Sequence, residues 1–176
     1  MSLKSQKNGS DFEKERSVIH DILASEKYDV VPSGHNIFYV FEKGTEISVA
    51  TIIIGRAFYT YLKEHTFKDD WRTILSKEVI PDMIIIVGNV WHIIEYKYQE
   101  EGNRSQDDIL PYCDFRVFAF TKLIKKGAGF IHDKIEFHYI LSKNLDVDRL
   151  GTVFEYIEYR KYDYNFEQMP LDKLGL

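Results

Sequence analysis

The spacing of apolar and polar residues changes period several times along this chain, and the changes mark out alternating helices and strands. Residues 1–9 are polar with no apolar face, and read as a disordered lead into one domain over 10–176. Ser10 and Glu13 have capping-box spacing ahead of a helix over about 11–25, in which Glu15 shares a face with Ile19 and Ile22. Residues 28–36, around Pro32-Ser33-Gly34, read as a loop, and 36–41 as a strand. From Ile47 to Leu62 the apolar positions 47, 50, 54, 57, 58 and 61 fit a helical face, despite a β-branched cluster at 51–54. Asp69-Asp70 caps a short helix reaching Ser76. Two apolar runs follow, joined at Gly88-Asn89. A helix is expected over 108–126, with Pro111 in its first turn and Gly127 ending it. A strand over 134–142, a helix over 147–160 and an alternating aromatic segment (Tyr162, Tyr164, Phe166) complete the chain. The pattern describes an α/β domain, a small mixed β-sheet flanked by helices, with the Gly88-Asn89 hairpin near its centre.

That hairpin carries the candidate chemistry. Glycine supplies the positive φ that a type II′ turn needs at its first central position. A two-residue turn sets Val87 opposite Val90 and, counting outward, Asp82 opposite Glu95. Opposed Cβ atoms lie roughly 5 Å apart, so the two carboxylates can reach one cation. Side chains alternate along a strand, so Glu95, Lys97 and Gln99 leave the same face. Two carboxylates at about 5 Å repel by roughly 3 kcal/mol at an effective dielectric of 20. A divalent ion removes that repulsion, and hard cations such as Mg2+ use one or two carboxylates together with substrate phosphate. Lys97 adds a donor that can hold a water or a phosphate oxygen.

Composition changes this picture little. The chain has 176 residues, enough for a substantial core, and its 12 Tyr and 12 Phe favour strands. No apolar run is long enough to span a membrane and no leader pattern opens the sequence, so a cytoplasmic protein without a membrane partner is expected. A single cysteine, Cys113, excludes an internal disulfide and any multi-cysteine zinc site. It reads as a small buried hydrophobe. The net charge of −5 argues mildly against nonspecific nucleic-acid binding. Distribution argues the other way, since 115–132 holds Arg116, Lys122, Lys125 and Lys126 and no acid. Helical spacing puts the three lysines on one face, as a phosphate-contacting ridge or as ordinary C-terminal helix lysines.

Pro81-Asp82 followed by Glu95-Tyr96-Lys97 resembles the signature of the PD-(D/E)xK nuclease superfamily. The continuation through Tyr98-Gln99, Gly102, Ser105, Asp107-Asp108 and Leu110-Pro111-Tyr112 is similar to a pattern in some type II restriction endonucleases. The resemblance implies a restriction-endonuclease-like core and Mg2+-dependent hydrolysis of double-stranded DNA, with Mn2+ as a substitute. It implies Asp82 and Glu95 as metal ligands, the Tyr96 carbonyl as a third, Lys97 orienting the water, and an acid from the first helix at a position that varies, for which Glu15 is the candidate. Glu15 is either that acid or the polar edge of the apolar stripe. Gln99 shares the site face. Asn103, Arg104, Ser105 and Gln106, in a polar loop beside the site, suit base edges or phosphates, or are the solvated side chains of an ordinary loop. Cutting a duplex needs two sites, so a homodimer is expected. A repair or recombination nuclease on the same fold, a catalytically inactive DNA-binding protein and a structural protein without metal are the alternatives. Arg56 is either a phosphate contact or a surface residue, and His138 reads as a histidine of the core or one that supports the site from behind, rather than a catalytic one.

Overall fold

The computed structural model describes residues 17–65, 70–98 and 113–176. Helices α1 (Val18–Ala24) and α2 (Ala57–His65) belong to the first half, α3 (Cys113–Thr121) and α4 (Gly151–Tyr159) to the second. Between them lies a seven-stranded sheet whose strands sit side by side in chain order. Strands β1 (Tyr28–Gly34), β2 (Ile37–Glu42), β3 (Ser48–Ile54), β4 (Met83–Val87) and β5 (Val90–Lys97) form an antiparallel meander. Strands β6 (Lys134–Leu141) and β7 (Asp163–Phe166) add to it in parallel. Parallel neighbours require a crossover, and here α3 and α4 fall within the two crossovers. This is the α/β arrangement of a mixed sheet flanked by helices that the periodicity predicts.

The sheet is covered on both faces. On one, Phe58 and Leu62 of α2, Phe120 of α3 and Phe154 of α4 pack on Ile84, Ile93, Phe137 and Tyr139. On the other, Val18 and Ile22 of α1, with Met169 and Leu174 near the C-terminus, pack on Ile52, Ile85, Ile94 and Ile140. Full burial of each such aliphatic side chain contributes on the order of 1.5–3 kcal/mol. Central β4 and β5 are buried on both sides, which is why they read as continuous apolar runs. No helix among the described residues is long and apolar enough to cross a membrane.

Several sequence expectations need correction. Residues 28–34 are a strand and not a loop. β1 lies at the sheet edge and is mostly exposed, the position where a sheet tolerates Pro32, and its register shifts between Pro32 and Gly34. The helix expected over 47–62 divides into β3, a turn at Gly55 and α2. The β-branched run at 51–54 prevails because pairing with both β2 and β4 buries Ile52 and Ile53 completely. The short helix ending at Ser76 is one 3-10 turn, Trp71–Thr73, capped by Asp70, whose Oδ1 accepts from the Arg72 amide at 3.1 Å. Asp69 lies outside the described residues. The helix expected over 108–126 is described from Cys113 and leaves α geometry at Lys122, continuing as a π-helical turn to Gly127. Pro111 lies outside the described residues, as do 1–16 with the Ser10–Glu13 pair.

The hairpin register matches the expectation, with Val87 paired to Val90 and Met83 to Ile94. Gly88 has φ 57°, and Asn89 is not among the residues of positive φ, as a type II′ turn requires. No atom lies within 4 Å of a Cβ built on Gly88, so Gly88→Ala meets only backbone strain. The substitution is expected to destabilise the fold by about 1 kcal/mol. Urea denaturation checks this as a lower midpoint with an unchanged m-value.

Candidate functional site

The β4–β5 ladder stops at Met83–Ile94, one residue short of the acids. Asp82 replaces the next rung with its side chain, Oδ2 accepting from the Tyr96 amide at 2.8 Å. Glu95 follows Ile93 on the face covered by α2, α3 and α4, and it is fully buried. Lys97, on the same face, donates from Nζ to Glu95 Oε2 at 3.2 Å. Arg116 of α3 closes the other side. Its guanidinium bonds the Ile80 carbonyl at 2.5 Å and forms an ion pair with Glu95 Oε1. That contact lacks hydrogen-bond geometry, so Oε1 is a buried carboxylate oxygen with no hydrogen bond among the described residues.

The electrostatics follow from this packing. Burial and the nearby negative charge of Asp82 push the Glu95 carboxyl up to about 7, against the opposing pull of Lys97 and Arg116. Asp82 is half-buried and Lys97 has 14% of its side chain exposed, so the cluster lies where the sheet interior meets the surface. Two carboxylates flanked by a lysine and an arginine can take a hard cation through oxygen and present donors to an anion beside it.

The structure thus sets the Asp82 side chain on the backbone beside Glu95, and Lys97 on Glu95 itself. The Tyr96 side chain turns to the opposite face, where its hydroxyl accepts from the Val18 amide at 3.2 Å, leaving only its backbone at the site. Glu15, Gln99, Asn103, Arg104, Ser105 and Gln106 lie outside the described residues. The lysine ridge needs revision, because the π-helical turn changes the spacing on which it was drawn. Lys122 Nζ donates to the Ile74 carbonyl at 2.8 Å, tying this turn to the segment after Trp71–Thr73. Lys126 is exposed and Lys125 half-buried. Arg56 forms an exposed ion pair with Glu78 at 3.2 Å, which makes it a surface residue. Cys113 is buried in α3 as a small hydrophobe.

Sequence reasoning missed Arg116 as a partner of Glu95, since nothing local says which residue of a later helix will land on β5. It also missed a second cluster on the opposite face, where His92, Glu136 and His138 converge. His138 is buried, as expected of a core histidine, and its Nε2 lies 3.0 Å from His92 Nδ1. Burial, and then the neighbouring His138, push the His92 imidazole down to about 4. The one local signal was the Glu136-x-His138 spacing, which puts both side chains on one face of a strand.

Fold and site define an α/β protein with a carboxylate–lysine cluster at the mouth of its central hairpin. Comparison with protein-family models, with curated proteins and with solved structures gave no match to this chain.

Proposed function

We propose that this protein is a metal-dependent deoxyribonuclease of the PD-(D/E)xK kind, hydrolysing phosphodiester bonds of double-stranded DNA in the manner of a type II restriction endonuclease. The observation that carries the reading is the junction at the end of β4. Asp82 bonds the backbone beside Glu95, and Lys97 bonds Glu95 itself. The residues fit Mg2+. Glu95 Oε1 is buried, faces Arg116 and has no hydrogen bond among the described residues. Asp82 adds a second carboxylate near enough to raise the Glu95 pKa further beyond the effect of burial, so the two acids offer the oxygen donors a hard cation takes. Asp82 and Glu95 would hold the ion with the Tyr96 carbonyl as a third ligand, and Mn2+ could replace it. When bound, the ion supplies Lewis-acid polarisation of a phosphoryl oxygen and acidifies water.

The chain's own residues do the rest. Lys97 donates to the attacking water and holds it in line with phosphorus. Its charge, with that of Arg116, offsets the negative charge that develops during attack. Pairing with Lys97 and Arg116 keeps Glu95 aimed at the site despite its burial. Lys125 and Lys126, and residues 103–106, are the DNA contacts of this reading. A homodimer supplies the second active site for the second strand, in a cytoplasmic setting.

Incubation of the full chain with phage DNA and Mg2+ tests the reading. Discrete fragments are expected, abolished by EDTA and restored by Mn2+. A smear, or cleavage confined to branched substrates, would point to the repair or recombination alternative. DNA left intact at high enzyme concentration with either ion would remove the catalytic assignment.

A further inference from the structure

The face of β5 opposite Glu95 carries a different donor set. β5 and β6 run parallel, with His92 paired to Glu136 and Ile94 to His138. Side-chain alternation sends all three polar residues to the α1 face. His92 Nδ1 lies 3.0 Å from His138 Nε2 and 3.2 Å from Glu136 Oε2, and His138 Nε2 lies 3.8 Å from the same oxygen. Zinc binds imidazole nitrogen at about 2.0–2.1 Å and carboxylate oxygen at about 2.0–2.2 Å, so ligand atoms on one ion stand roughly 3–3.5 Å apart. The three separations bracket that range before any side chain moves.

The far sides of both rings are also committed. His138 Nδ1 faces Asp163 Oδ2 at 3.3 Å, and Asp163 is itself held by Lys173 at 2.8 Å and Asn165 at 2.9 Å. His92 has a hydrogen bond with the backbone of Leu174. A carboxylate behind one imidazole and a backbone group behind the other fix ring orientation, the supporting arrangement that histidine ligands of metals usually have. Access exists as well. β7 joins β6 only from His138 onward, so the first half of β6 has no outer strand. A pocket of about 570 Å3 opens there, lined among others by Glu136, His138, Asp163 and Lys173.

We propose that His92, Glu136 and His138 form a binding site for a divalent transition-metal ion, Zn2+ by its donor set. Two imidazoles and one carboxylate favour zinc over the hard ions that all-oxygen sites take. Three protein ligands leave a fourth position for water or a small ligand from the pocket. The site ties β5, β6 and, through Asp163, β7 together. It is independent of the carboxylate cluster and of the nuclease reading.

The test uses the full chain, stripped of metal with a chelator and titrated with Zn2+ by calorimetry. Co2+ absorption in the visible range reports the coordination. One Zn2+ per chain is expected at His92–Glu136–His138, with a rise in Tm. Glu136 has 29% of its side chain exposed, so Glu136→Gln is expected to keep the circular-dichroism spectrum while weakening Zn2+ binding at least tenfold. Asp163→Asn, one step removed, is expected to weaken it by about 10- to 100-fold. Asp82→Asn is expected to leave it unchanged. No Zn2+ uptake by the wild type, or uptake lost in Asp82→Asn and retained in Glu136→Gln, overturns the proposal.

Discussion

Lys97→Ala is expected to lower Mg2+-dependent cleavage of duplex DNA by a factor of about 100 to 10,000, the range over which a positioned proton-handling group contributes. The lysine is well placed for such an effect. It sits two residues from Glu95 on the same strand face and bonds Oε2 at 3.2 Å. Removing it takes away the donor to Glu95 and part of the positive charge that opposes the rise in its pKa. The fold should survive, because Lys97 is at the end of β5 and Arg116 still faces the acid. Single-turnover cleavage with saturating enzyme isolates the chemical step. A gel-shift measurement in Ca2+ should show DNA affinity changed only a few-fold. Cleavage by the alanine variant at the wild-type rate would dismiss Lys97 as a catalytic residue.

The second large effect is on stability and depends on pH. The Glu95 carboxyl is raised to about 7 in the folded protein, from an ordinary value of 4.5. Between these values the folded chain binds a proton that the unfolded chain has released. The contribution of this one group to stability is therefore greatest below about pH 4.5, falls as pH rises, and is gone above about pH 7. The shift corresponds to roughly 3 kcal/mol. Glu95→Gln lacks this titration. Its stability relative to wild type should rise by about that amount between pH 4.5 and 7.5, measured by urea denaturation in EDTA. Mg2+ should narrow the difference at pH 7.5 by favouring the ionised acid. Parallel pH profiles for the two proteins would mean that Glu95 is not held at high pKa by burial.

The parts of this architecture legible in the sequence are those set by neighbours along the chain. A two-residue turn with glycine at its first position ties the register of β4 to β5 from Val87–Val90 to Met83–Ile94. This brings Asp82 to the end of that ladder beside Glu95, where its side chain and not its backbone bonds β5. The β6 and α4 patterns were equally local. Residues 47–54 were misread because their apolar positions satisfy a helical period, while sheet neighbours on both sides decide the outcome. Edge strand β1 was misread because proline and glycine mark loops in most contexts and edges in a few. Arg116 and the His92–Glu136–His138 cluster were out of reach for a common reason. Arg116 depends on how the helix within the β5–β6 crossover lands on β5, and the histidine cluster on how β6 after it pairs with β5, and both are tertiary results.

The order of the strands also has a consequence for how the protein is made. The described strands are joined by connections of two kinds: short reversals at β1–β2, β2–β3 and β4–β5, and longer segments carrying a helix at β3–β4, β5–β6 and β6–β7, which close more slowly. On the ribosome Glu95 and Lys97 emerge before the helix bearing Arg116, so the ion pair between Glu95 and Arg116 forms only after part of the β5–β6 crossover has been made. Completion of the cluster around Glu95 therefore waits on a segment made after β5, and a chain ending at Lys97 would hold Glu95 without its arginine partner.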